Sequence, residues 1–176
     1  MLPRIHPMRL RLVREPFDHP DYIFELKHDG FRAVAYLQTR ECKIISRNQR
    51  NLGFESLKKA LAKLPVQTAI LDGEIVCLDG KGVSQFNELL SRKREPIFNA
   101  FDLLWLDGKD LRQMPLVERK KRLARLVRAA KCSRQLMLST SSSTASAFSR
   151  RFAPATVREL WPSENWAFTR TTATVG

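Results

Sequence analysis

Lys27 stands two residues after Glu25 and two before Asp29, in the stretch FELKHDGFRAVAYL over residues 24–37. A lysine at the end of a strand, beside a turn and against a sheet, can be partly desolvated, and desolvation favours the neutral amine, which is a nucleophile. The following Asp29-Gly30 pair suits a tight turn whose backbone amides can approach a ligand closely. Arg32 adds a planar, always-charged donor for ribose or phosphate oxygens. An ordinary hairpin with a solvated lysine is the plainer reading of the same residues, and this stretch alone leaves both open.

Other polar side chains sit in apolar surroundings further along. Glu74 lies in LDGEIV, residues 71–76, where strand alternation puts it on the face opposite Ile75; a carboxylate on a buried strand is costly unless satisfied. Asp72, two residues earlier, reads as a turn residue. Arg47 follows CKIIS in a polar SRN step, and Phe101 lies in NAFDLL with Asp102 beside it.

These residues need a scaffold, and the pattern supplies one. Residues 22–37 read as two short strands joined at Asp29-Gly30, and CKIISRN as a third. AILDGEIVCLDG and IFNAFDLLWLDG are apolar, branched and bounded by Asp-Gly turns, so both predict buried strands. FESLKKALAKL places Phe54, Leu57, Leu61 and Leu64 at helical spacing, and SQFNELLSRK suits a short helix. From Pro115, a good first helical residue, Leu116, Leu123, Leu126 and Val127 fall on one side of a helix, with its many cations expected on a solvated face. After Leu138 the chain turns Ser/Thr-rich and loses its period, predicting a weakly structured tail.

A chain of 176 residues with 43% hydrophobic content holds one ordinary core. Thirty-one Lys and Arg against eighteen Asp and Glu leave a formal charge of +13, favouring a polyanionic partner such as nucleic acid or nucleotide. Cys42, Cys77 and Cys132 form no C-x-x-C pair, and His6, His19 and His28 lack metal-ligand spacing. The N-terminal MLPRIHPMRLRLVREP puts prolines and arginines where a signal peptide needs an apolar run, and no window approaches a membrane span. A cytoplasmic protein is expected.

ELKHDGFR, SRN, LDGEIV and FNAFDLLWLDG occur in that order. The series resembles the nucleotidyltransferase domain of ATP-dependent DNA ligases, especially the bacterial ligases of double-strand break repair. The resemblance spans about residues 8–127, including EPFDHPDYIFELK before the lysine and DLRQMPLVERKKRL after the last motif. LDGEIV followed by FDLLWLDG is more similar to the DNA branch than to RNA ligases or capping guanylyltransferases.

The resemblance implies a role for each matched residue. Lys27 would attack the α-phosphate of ATP and hold AMP as a phosphoramidate. Glu25 would recognise the adenine amino group, Arg32 and Arg47 would lie near ribose and phosphates, and Phe101 would stack on adenine. Glu74 would contact ribose and aid a divalent metal, with Mg²⁺ expected. AMP would pass to the 5′-phosphate of nicked DNA, whose 3′-hydroxyl then closes the break in repair and recombination. The implied fold is α+β, an antiparallel-sheet adenylation domain akin to capping enzymes and the ATP-grasp class, over residues 1–138. The implied partners are nicked or broken double-stranded DNA and other DNA end-joining proteins, with no membrane.

Two later family elements, an E-G step with a metal-binding glutamate and a strand bearing phosphate-binding lysines, have no match here. RELWPSENWAFTRTTATVG has Glu159 and Glu164 but no E-G, and no lysine follows Lys131. The expectation is a domain incomplete at its C-terminus, truncated or changed in reading frame near residue 139, with reduced activity, since each missing donor removes charge stabilisation. Residues 139–176 then form a tail of uncertain structure. Two readings stay open: an active adenylation core, or an impaired remnant that binds nucleotide or DNA without ligation.

Overall fold

The structure is a computed structural model that describes residues 2–7, 22–130, 135–139, 141–142 and 166–170. His19, Cys132 and most of the Ser/Thr-rich tail lie outside the described residues, as do EPFDHPD and Lys131. In chain order the elements are β1 (Tyr22–Leu26), β2 (Phe31–Gln38), β3 (Glu41–Ser46), α1 (Glu55–Leu61), β4 (Thr68–Val76) and α2 (Phe86–Leu90). They continue with β5 (Ile97–Leu106), β6 (Lys109–Asp110), α3 (Leu116–Ala129), β7 (Leu136–Leu138), β8 (Ser141–Ser142) and β9 (Trp166–Arg170).

The main sheet runs β3-β2-β4-β5-β6, antiparallel throughout, with β7 added parallel to β5. Alternation along β2 sends Ala33, Ala35 and Leu37 to one face, where they pack with Leu71 and Ile75 of β4. Leu57 and Leu61 of α1, Leu89 of α2, and Leu123 and Leu126 of α3 close that core, so the helices cover one side of the sheet. On the other face Val34, Ile70 and Leu104 meet Ile5, whose backbone N–H donates to the Tyr36 hydroxyl at 2.9 Å. Beyond Val34 and Ile70 the same face turns polar at Arg32, Asp72 and Glu74. An α+β architecture with an antiparallel sheet and outer helices is therefore present, as the pattern predicts.

The strands expected from apolar runs are in place, but the expected hairpin is not. β1 and β2 belong to different sheets: β1 lies between β8 and β9, both antiparallel to it. Gly30 makes no left-handed turn. A Cβ there would fall 2.1 Å from the Ile75 carbonyl oxygen, so glycine is required for close backbone approach. The Asp-Gly turn chemistry is realised instead at Asp107-Gly108, both at positive φ (43° and 84°), which reverses β5 into β6. The region read as a weakly structured tail contributes β8 and β9, and Tyr22 through Leu26 pair in register with Arg170 through Trp166.

Helix α3 departs from expectation in another way. Pro115 sits immediately before the first turn, and not all the cations after it are solvated. Arg119 is 1% exposed and donates to both carboxylate oxygens of Asp102, at 2.8 and 2.9 Å, and to the Met114 carbonyl. Breaking such a buried pair costs on the order of 3–5 kcal/mol, because the surviving charge is left uncompensated. This contact clamps the first turns of α3 to β5.

Candidate active site

Glu25 and Lys27 come from the end of β1 and the step after it. Glu25 is buried, whereas Lys27 is exposed, so the partial desolvation expected of the lysine is not supplied by the sheet. The loop from Lys27 to Gly30 is held from outside: His28 Nδ1 lies 3.0 Å from Ser84 Oγ, and the Asp29 N–H donates to the same oxygen at 3.3 Å. Burial lowers the His28 pKa. Gly30 then passes under β4, and the chain enters β2 with Arg32 directly opposite Glu74.

Arg32 is the hub of the polar face. Its Nε and Nη2 each donate to Asp72 at 2.8 Å, a bidentate pair, and its guanidinium carbon lies 4.2 Å from the centroid of the Phe101 ring. Asp72 is thus a buried mid-strand partner and not the turn residue that its Asp-Gly step suggests; Arg32 supplies the compensation that lets the strand carry it. Burial raises the Asp72 pKa and Arg32 draws it back. Glu74 has no such bidentate partner. Burial pushes its carboxyl up to about 7, against the pull of the Arg32 and Lys27 charges and with the Asp72 and Asp29 carboxylates adding to the push. Arg47 is exposed at the end of β3, and its N–H donates to the Arg32 carbonyl at 3.3 Å.

The structure therefore brings Arg32, Glu74 and Phe101 together on three adjacent strands, with Arg47 beside Arg32 and Lys27 close enough for its charge to act on Glu74. Glu25 joins them through a residue that sequence reasoning missed. Lys120 of α3 donates to Glu25 Oε1 at 2.8 Å and to the Phe101 carbonyl at 2.6 Å. A signal for this was available. Between Leu116 and Leu123 the apolar stripe skips a turn, and Arg119 and Lys120 occupy the places where inward-facing leucines would stand.

Among the described residues no group of three or more His, Cys, Asp or Glu could hold a metal ion. Asp72 and Asp102 are each committed to an arginine, which leaves Glu74 as the available carboxylate on this face. That fits a Mg²⁺ that takes one protein oxygen and draws the rest from substrate phosphates and water.

A profile of the family described as "ATP dependent DNA ligase domain" matches residues 9–159. The chain belongs to this family. Within it, the multifunctional non-homologous end joining protein LigD of Pseudomonas aeruginosa is 34% identical over 130 residues, covering 70% of this chain and 15% of that protein. A DNA ligase of Pyrobaculum islandicum is 36% identical over 121 residues, 60% of this chain and 21% of the ligase. The solved structure of a mycobacterial DNA ligase D complexed with ATP and MES superposes with a TM-score of 0.69 at 26% identity, over 88% of this chain and 50% of that one. The chain spans about a fifth or less of these two relatives and half of the solved ligase chain.

Proposed function

We propose that this ligase-family chain transfers AMP from ATP to its own Lys27 and from there to the 5′-phosphate of nicked or broken duplex DNA. The observation that carries the reading is the polar end of the sheet face, where Arg32, Glu74 and Phe101 meet on three adjacent strands and the Lys27 charge acts on Glu74. In the first step the Lys27 amine, having lost its proton, attacks the α-phosphorus; an N–P bond forms as the bond to the pyrophosphate oxygen breaks. Arg32 and Arg47 offer donors to ribose and phosphate oxygens, and Glu25 an acceptor to the adenine amino group. Phe101 offers a ring face for the base. Mg²⁺ at Glu74 would offset charge on the phosphate oxygens.

In the second step the DNA 5′-phosphate displaces Lys27 from AMP, and in the third a 3′-hydroxyl displaces AMP and closes the strand. The exposed position of Lys27 suits this sequence, because the same amine must meet ATP and then a DNA end. Other end-joining proteins would be its working partners, and the cytoplasm its compartment.

Incubation with ATP labelled at the α-phosphate and Mg²⁺, followed by denaturing electrophoresis, tests the first step. Label should stay with the parent protein and vanish in Lys27→Ala. An unlabelled parent chain overturns the reading and leaves a nucleotide-binding or DNA-binding remnant.

A further inference from the structure

We propose that Lys120 is a positioning residue that sets the preference for adenine over guanine, an inference that rests on the nucleotide site proposed above. Its ammonium bridges two acceptors from different sheets, Glu25 Oε1 on β1 at 2.8 Å and the Phe101 carbonyl on β5 at 2.6 Å. The pair is well buried, with side-chain exposures of 12% for Lys120 and 7% for Glu25, so the carboxylate is not held by solvent. Glu25 Oε2 has no hydrogen-bond partner among the described residues. The arrangement fixes one oxygen and leaves the other as a directed acceptor.

An exocyclic amino group, as on C6 of adenine, can donate to that oxygen. A keto oxygen, as on C6 of guanine, meets it as lone pair against lone pair. Discrimination of this kind depends on the carboxylate keeping its orientation, since a carboxylate free to rotate could turn away from the guanine oxygen. The bridge also ties the base-reading strand to the strand bearing Phe101. Lys120 bonds Glu25 and the Phe101 carbonyl, the two residues assigned to the base, so its influence falls on base binding and not on the transfer step.

The test is equilibrium binding of ATP and of GTP to the full chain and to Lys120→Met, which keeps the apolar stem and removes the charge. The ATP dissociation constant should rise, and the ATP-over-GTP ratio should fall, each by about tenfold or more, the effect of losing one charge-assisted contact. Lys120→Arg, with its donors retained, should recover part of the ratio, whereas a purely structural role would track thermal stability and not the base. Lys120→Met in a Glu25→Gln background should cost less than in the parent, because both act on one acceptor. Equal ATP and GTP affinities in the parent, or an unchanged ratio in a folded Lys120→Met protein, overturn the inference. Binding is scored apart from labelling: a parent that prefers ATP but takes no label contradicts the proposed catalysis alone.

Discussion

Arg32 and Glu74 face each other across two strands, yet the arginine turns its Nε and Nη2 donors to Asp72. Glu74 is left with burial as the dominant influence, and its carboxyl rises from 4.5 to about 7. Over that window the folded chain holds a proton that the unfolded chain releases, so stability falls as pH rises from 4.5 to 7 and stays at the lower level above it. Glu74→Gln should remove this loss. In urea titrations with EDTA present, the variant and parent should match at pH 4, while at pH 8 the variant should be more stable by on the order of 1–3 kcal/mol. Equal stabilities at both pH values would contradict a half-buried, reluctant carboxylate at this position.

Other residues show how local signals can mislead. Asp72 and Asp29 both precede glycine, and turn chemistry was the natural expectation for each. For Asp72 the deciding partner is Arg32, forty positions away in sequence, and nothing in LDGEIV announces it. For Gly30 the deciding contact is the Ile75 carbonyl, a close approach that a single strand's pattern does not encode.

At the scale of elements, the long apolar strands were legible because β4 and β5 are central and covered on much of both faces. The pairing of β1 was not, since its neighbours come from Ser141–Ser142 and Trp166–Arg170, far along the chain and without a marked period. That pairing makes a separate prediction. Proline at both Ala167 and Phe168 removes two adjacent N–H groups opposite Glu25 and Phe24, one of which should serve the ladder. Amide hydrogen exchange should then speed up by about tenfold or more across Tyr22–Leu26, while β4 and β5 keep their protection. Unchanged exchange in β1 would show that β9 does not support the strand leading to Lys27. The cations of α3 were half legible: helical spacing placed the leucines, but only the carboxylates of β1 and β5 reveal why Arg119 and Lys120 turn inward.

For the whole molecule, a formal charge of +13 dominates encounters with polyanions. Lysines and arginines drawn into ion pairs inside the fold, such as Arg32, Arg119 and Lys120, do not contribute to that surface, so the remaining cations carry it. Duplex DNA should bind with little regard to base sequence. A plot of log affinity against log salt concentration should have a slope of about −4 or steeper, as each neutralised phosphate contributes about −0.9. Fluorescence anisotropy with two unrelated duplexes checks both points; a slope near zero would remove the electrostatic basis for a DNA partner. The composition alone pointed to a polyanion, and the ordered motifs narrowed it to nucleotide and DNA.

The position of β1 between β8 and β9 also has a temporal meaning. A ribosome releases the strand that leads to Lys27 early and the strands that flank it much later, so both edges of β1 stay bare while most of the main sheet can already assemble. The antiparallel strands β2 to β6 pair over short stretches of chain, whereas the strand that leads to Lys27 must wait for long-range closure. In the life of each molecule, the sheet that leads to Lys27 closes last.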